Sequence, residues 1–198
     1  MKNAKLSIVL YSVLVLLFSP GKYAFPIYSV SLEGDENGNG STILPDFQVK
    51  AGVIGNLVNY CQWPTNSPVA NPDIPFIIGA LEENEVISFL SEITKTKKIG
   101  GKQAKILIIS NDEEIKNCNL LFISGISENR LQQILETIGD LPILTVADVP
   151  DFEEKGVMIN VFSVGKKIQF NVNLTAVRKN GLLLNSKLLR LALNVIQE

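Results

Sequence analysis

Between residues 74 and 146, short continuous apolar runs alternate with segments of helical period, and this alternation constrains the fold more than any other feature of the chain. Residues 74–79 (IPFIIG) are a short continuous apolar run ending in Gly, as expected of a strand buried on both faces, and 104–109 (AKILII), 120–124 (LLFIS) and 142–146 (PILTV) are the further short, mainly apolar strands. Between them, residues 85–95 place Val86, Phe89, Leu90 and Ile93 at helical spacing, and residues 112–117 read as a short acidic turn or helix. Another helix opens at Ser127 or Glu128, runs through Leu131, Ile134, Leu135 and Ile138, and stops at Gly139 as a C-cap. Strands joined in this way are βαβ units, which predicts a parallel sheet with helices on both faces.

The flanks differ from this centre. From Pro45 onward, Phe47, Val49, Val53, Ile54, Leu57, Val58 and Cys61 recur mostly at three- and four-residue steps, which predicts a helix. Trp63-Pro64 is expected to end it, because the residue before a proline is pushed out of helical geometry. Trp63, at that end, reads as a core plug. Residues 65–73 (TNSPVANPD) are a turn-rich connector. Past residue 146, residues 157–164 and 167–172 alternate around Gly165-Lys166 and predict a β-hairpin. Residues 174–179 and 186–196 read as helices, the last capped by Ser186 and turning Leu188, Leu189, Leu191, Ala192 and Val195 inward. The expected class is α/β: a mostly parallel open sheet flanked by helices on both faces, with a C-terminal β-hairpin and helix.

The first 44 residues carry a different signal. Lys2 and Lys5 precede an uncharged apolar run over residues 6–18, the arrangement of a secretory signal peptide. Thirteen helical residues cover only about 20 Å of a hydrocarbon core of roughly 30 Å. Residues 1–21 are therefore expected to be a cleavable signal, with Ala24 as a second cut site, and the destination the periplasm. Residues 22–44 read as a flexible leader and 45–198 as one α/β domain. In the leader, Asp35, Asn37, Asn39, Gly40 and Asp46 match half of a calcium-loop pattern. No amphipathic helix precedes them and the twelfth position is not Glu, so a solvated linker is the better reading.

Composition narrows the chemistry. The chain has no histidine, which removes Ser-His-Asp, Cys-His and HExxH sites together. Its two cysteines, Cys61 and Cys118, are too few for a four-cysteine zinc site. In an oxidising compartment they pair if folding brings them together, and otherwise serve as small buried hydrophobes. A net charge of −2 gives no reason to expect nucleic acid, and neither GxGxxG nor GxxxxGK[ST] is present, so no cofactor is expected. Ligands of open parallel sheets sit at the carboxyl ends of the strands. Gly79, Ser110, Ser124 and Asp148 stand at those ends and are the candidate pocket. The carboxylates Asp148, Asp151, Glu153 and Glu154 form the densest acidic cluster, read as a solvated loop around Pro150 rather than as an acid/base pair.

Several segments together resemble the YfiR-like periplasmic regulator family. They are residues 49–64 ending in Trp63-Pro64, 76–79, 99–102 (IGGK), 118–124 (CNLLFIS), 143–148 (ILTVAD), 152–159 (FEEKGVMI), 168–174 (IQFNVNL) and 186–192 (SKLLRLA). The resemblance covers about residues 45 to 196 in the family's order. It implies a small exported α/β protein without enzymatic activity. The family's namesake restrains an inner-membrane diguanylate cyclase by binding its periplasmic part, and is itself sequestered by an outer-membrane lipoprotein. Where family members often carry a cysteine near the end of the first strand, this chain has Phe76, so the partner the resemblance implies for Cys118 is missing and Cys61 would have to replace it. The expected partner is thus the periplasmic part of an inner-membrane signalling protein, with an outer-membrane lipoprotein and a homodimer as further candidates. A small-ligand sensor is the alternative.

Overall fold

A computed structural model describes residues 44–165 and 167–197. The segments expected to be a signal peptide and most of the expected leader, including Asp35, Asn37 and Asn39, lie outside the described residues. Among those described, no helix is long and apolar enough to cross a membrane.

Helix α1 (Asp46–Leu57) starts after Pro45, with Asp46 in its first turn complementing the positive end of the helix. It ends earlier than the proline rule predicts. The chain tightens into a 3₁₀ turn at Val58–Tyr60, and Cys61 becomes extended in strand β1 (Cys61–Gln62). The reason is tertiary: β1 pairs antiparallel with β8 (Leu183–Leu184), setting Cys61 opposite Leu184.

The centre follows the predicted alternation, with strand ends displaced by one or two residues. β2 (Phe76–Ala80), α2 (Glu85–Thr96), β3 (Ala104–Ile108), a 3₁₀ helix (Asp112–Asn117), β4 (Leu120–Ile123), α3 (Glu128–Ile138) and β5 (Leu144–Ala147) follow in order. Asn84 caps α2 by accepting the Ile87 N–H at 3.0 Å, and Ser127 caps α3 by accepting that of Arg130 at 3.3 Å. Next come the hairpin of β6 (Ile159–Val164) and β7 (Lys167–Asn173), then helix α4 (Leu174–Lys179).

The last predicted helix is largely absent. Helix α5 covers only Ser186–Leu189 and is capped by Asn185, not Ser186. The chain then extends, the Leu193 N–H reaches the Phe170 carbonyl at 2.9 Å, and β9 (Asn194–Ile196) pairs parallel with β7. The open side of β7 offers hydrogen bonds that a helix would leave unused, and this outweighs the helical spacing of the leucines.

The seven-stranded sheet runs in the order β3-β2-β4-β5-β6-β7-β9. All neighbours are parallel except β6 and β7. Strand alternation splits the core in two. Leu120, Phe122, Leu144 and Val146 face α1, α2 and α4, whereas Leu121, Ile123 and Ala147 face α3, Ile115 and the loop residues Phe152 and Val157. Trp63 is half-buried against the first core. Its ring meets Phe76 edge-on with centroids 5.4 Å apart, and its Nε1 donates to the Pro142 carbonyl at 3.0 Å.

Candidate functional site

Between β2 and β4 the winding reverses, because the chain leaves β2 for β3 on one side and then crosses back to β4 on the other. Such a switch point opens a crevice at the carboxyl ends of the two strands. A cleft of about 320 Å³ lies there, lined by Ser124 after β4, Asp148 after β5, Asp46, Phe47 and Lys50 from α1, and Asn84, Glu85 and Val86 at the start of α2.

Each wall has a local cause. Ser124 and Asp148 are the first residues past strands whose four residues are all buried, so the chain turns polar where it emerges. Asp148 accepts from Lys50 Nζ at 3.2 Å, and both side chains are mostly sheltered, at 15% and 18% exposure. This contact ties α1 to the end of β5. Asp46 accepts from the Ser163 hydroxyl at 2.8 Å, fixing the start of α1 to the hairpin. Phe47 packs edge-on against Phe89 with centroids 6.1 Å apart, joining the two helices that roof the cleft. The lining carries the carboxylates of Asp46, Glu85 and Asp148 against the ammonium of Lys50, so it favours a polar guest rich in donors.

Of the four candidate residues, the structure brings Ser124 and Asp148 together and leaves the others apart. Gly79 packs under the second core: a Cβ built on it would stand 2.4 Å from Cys118 Sγ. Ser110 is exposed beyond β3, its N–H donating to Glu114 Oε2 at 2.8 Å. The helix-borne half of the cleft, Asp46 to Lys50 and Asn84 to Val86, was not legible. Its only signal was the pair of helix starts, which sequence alone does not place at one end of the sheet.

The acidic loop is not the wholly solvated segment its sequence predicts. Asp151 and Glu154 are exposed, but Glu153 is only 4% exposed. Its carboxylate accepts from Asn160 Nδ2 at 2.7 Å and from Asn171 Nδ2, the amides of two residues directly opposite in the β6–β7 ladder. Its carbonyl accepts from Asn173 Nδ2 at 2.8 Å. Glu153 is thus a clamp that fastens the loop to the hairpin. Asp151, at φ 61°, is the one described non-glycine residue with positive φ and marks the turn that aims the clamp inward.

Cys61 and Cys118 are free thiols in different cores on opposite faces of the sheet, so the disulfide left open between them is not formed. Burial pushes the Cys61 thiol up to about 12, and burial followed by the nearby Glu114 carboxylate does the same for Cys118, also to about 12. Both are therefore protonated near neutrality and poor nucleophiles. Among the described residues, no group of three His, Cys, Asp or Glu side chains is placed to hold a metal ion.

These features define a doubly wound α/β domain with a polar cleft at its switch point and an appended hairpin. The chain belongs to the YfiR/HmsC-like family, whose sequence profile matches residues 47–193. No curated protein matches it. Among solved structures, an ABC domain from Streptococcus pneumoniae in complex with L-Trp is similar at 10% identity and TM-score 0.43, covering 61% of this chain and 55% of that one. A conserved domain protein from Vibrio cholerae is similar at 9% identity and TM-score 0.46, covering 78% of this chain and 62% of that one. The chain thus spans somewhat over half the length of these two structures.

Proposed function

We propose that this chain is an exported regulatory module of the periplasm that acts by protein contact, without catalysis, on the periplasmic part of an inner-membrane signalling protein of the diguanylate cyclase kind. Membership of the YfiR/HmsC-like family over residues 47–193 carries this reading. The apolar run at residues 6–18 supports export, and the absence of histidine together with two neutral thiols supports a non-enzymatic role. A regulator of this kind binds the inactive state of its target more tightly than the active one, and an outer-membrane lipoprotein that sequesters it would release the target. The test is a pull-down from membranes using residues 22–198, with captured proteins identified by mass spectrometry. Specific capture of one inner-membrane signalling protein is expected, and deletion of the gene should raise that protein's output. Empty beads, from membranes known to contain the candidates, would sink the proposal.

The cleft favours a second reading, a small-ligand sensor. Its test is ligand-induced thermal stabilisation that disappears in Asp148→Asn while partner capture persists.

A further inference from the structure

Strands β3, β2, β4, β5 and β6 run parallel side by side, so the sheet has an amino end and a carboxyl end, and the two carry opposite charge. At the carboxyl end, where the cleft lies, the segments after β2 and β3 hold Glu82, Glu83, Glu85, Asp112, Glu113 and Glu114. Arg130 and Lys116 offset only Asp112 and Glu113. At the amino end, Lys97, Lys98 and Lys102 occupy the turn into β3, Lys105 follows within the strand, and Arg178 and Lys179 end α4. The acids on the connectors and helix ends there, Asp73, Glu136 and Asp140, are fewer.

Apolar side chains surface in the same place. Ile74 before β2 is 41% exposed, Leu141 before β5 is 38% exposed, and Leu183 of β8, opposite Gln62, is 60% exposed. Hydrogen bonds join the segments that carry them. Lys102 Nζ donates to the carbonyls of Val69 at 3.0 Å and Asn71 at 2.6 Å, holding the connector before β2 against the turn into β3. Trp63 reaches the Pro142 carbonyl, and Asn180 Nδ2 donates to the carbonyls of Gly139 at 2.9 Å and Leu141 at 2.7 Å. We propose that the amino end of the sheet is a membrane-docking surface, on which these cations meet the headgroups of an anionic phospholipid bilayer while Ile74, Leu141 and Leu183 enter the headgroup layer.

Three features choose this occupant. The exposed apolar side chains come singly from separate connectors among cations, which suits a surface of charged headgroups over acyl chains, whereas a protein interface gathers its apolar residues into one dry core. The acidic carboxyl end is repelled by the same bilayer, so the segregation of charge fixes which end approaches. The connectors are already held by the bonds from Lys102, Trp63 and Asn180, so docking orders little of the chain. In this pose the cleft faces away from the membrane.

The docking goes beyond the regulatory reading and is tested without a partner protein. The chain from residue 22 is used, because the apolar run at residues 6–18 would itself enter a bilayer. Sedimentation with sucrose-loaded vesicles of phosphatidylglycerol and phosphatidylcholine should give a partition coefficient at least about tenfold above that on phosphatidylcholine alone. The gain should vanish when salt rises to roughly 0.5 M. Lys98→Glu combined with Lys179→Glu should lower binding at least about tenfold, and Ile74→Ser should lower it several-fold. Glu83→Lys, at the far end of the strands, should leave it unchanged within about twofold. These side chains are exposed, so each variant should keep the parent circular dichroism. Trp63, the chain's one tryptophan and half-buried at the amino end, reads the orientation: lipids brominated in the upper acyl chain should quench its fluorescence. Absence of binding, equal binding to neutral vesicles, or binding untouched by the Lys98 and Lys179 changes overturns the proposal. So does a Glu83→Lys gain as large as the loss from the lysine pair, or binding without quenching of Trp63.

Discussion

The two faces of the sheet solve the same burial problem in different ways. Toward the first face lie α1, α2 and α4, whose apolar stripes cover β2, β4, β5 and both strands of the hairpin. Toward the second lies α3 with the 3₁₀ turn at Asp112–Asn117, and beyond β5 the cover is an irregular loop carrying Phe152 and Val157. The first face is held by apolar periodicity, which any tight core supplies. The second is pinned by one buried carboxylate and the Asn160–Asn171 pair, a polar cluster whose worth depends on every member being present.

Two substitutions should bring out that contrast. Phe122→Ala empties a side chain 1% exposed in the first core and should cost about 3–5 kcal/mol in denaturant unfolding. Glu153→Ala should cost less, about 2–4 kcal/mol, because it strands the amide donors of the buried Asn160 and the half-buried Asn171 while removing a buried carboxylate. Asn160 and Asn171 also keep buried Oδ1 atoms without a partner, acceptors to which one stranded amide can turn, and this holds the cost below that of the emptied core. Combining Glu153→Leu with Asn160→Val and Asn171→Val should recover most of the loss, since an apolar cluster needs no partners. A Glu153→Ala cost below about 1 kcal/mol would show that the loop is held by Phe152 and Val157 alone and would erase the distinction between the faces.

The same contrast explains what could be read from the chain. The parallel core was legible because IIG, KILI, LLFI and LTV are short runs apolar but for Lys105 and Thr145, and such a run survives an error of two residues at an end. The N-caps Ser127 and Asn84 act locally, and Ser127 was visible next to its helix. The C-terminal segment was misread because Leu188, Leu191, Ala192 and Val195 fit a helix and a turn-plus-strand equally well, and the vacant side of β7 decided between them. Glu153 was misread for a related reason: its partners are Asn160 and Asn171, which alternation places on a strand but cannot match to a distant carboxylate. The cleft was half legible, since its strand ends follow from topology whereas α1 reaches it only through tertiary packing.

Gly79 sharpens the comparison at a point where the sheet is thin. Its missing side chain makes room for Cys118 of the second core, and an added Cβ would also come within 3.1 Å of Leu121 Cδ1. Gly79→Ala should cost about 1–3 kcal/mol by overpacking. Cys118→Ala in the same chain removes the sulfur and leaves Cβ atoms 3.4 Å apart, close to ordinary contact. A double-mutant cycle should therefore return a favourable coupling of about 1 kcal/mol or more. Strict additivity would mean that the strand shifts to accept the methyl, and that the second core is softer than its packing implies.

The smallest effect concerns pH, and it samples each face through one thiol. Both thiols are raised from an ordinary value of 9.0 to about 12 by burial. Above pH 9 the unfolded chain releases these protons while the folded chain keeps them, so stability is fully present below about 9 and falls as pH rises toward 12. The loss from pH 9 to 10 is about 1 kcal/mol for each thiol. Cys61→Ala and Cys118→Ala should each flatten the alkaline slope by one thiol's share, whatever each costs at pH 7. If only Cys61→Ala flattens it, the second face admits water to Cys118, and the polar pinning of that face is looser than the apolar packing of the first.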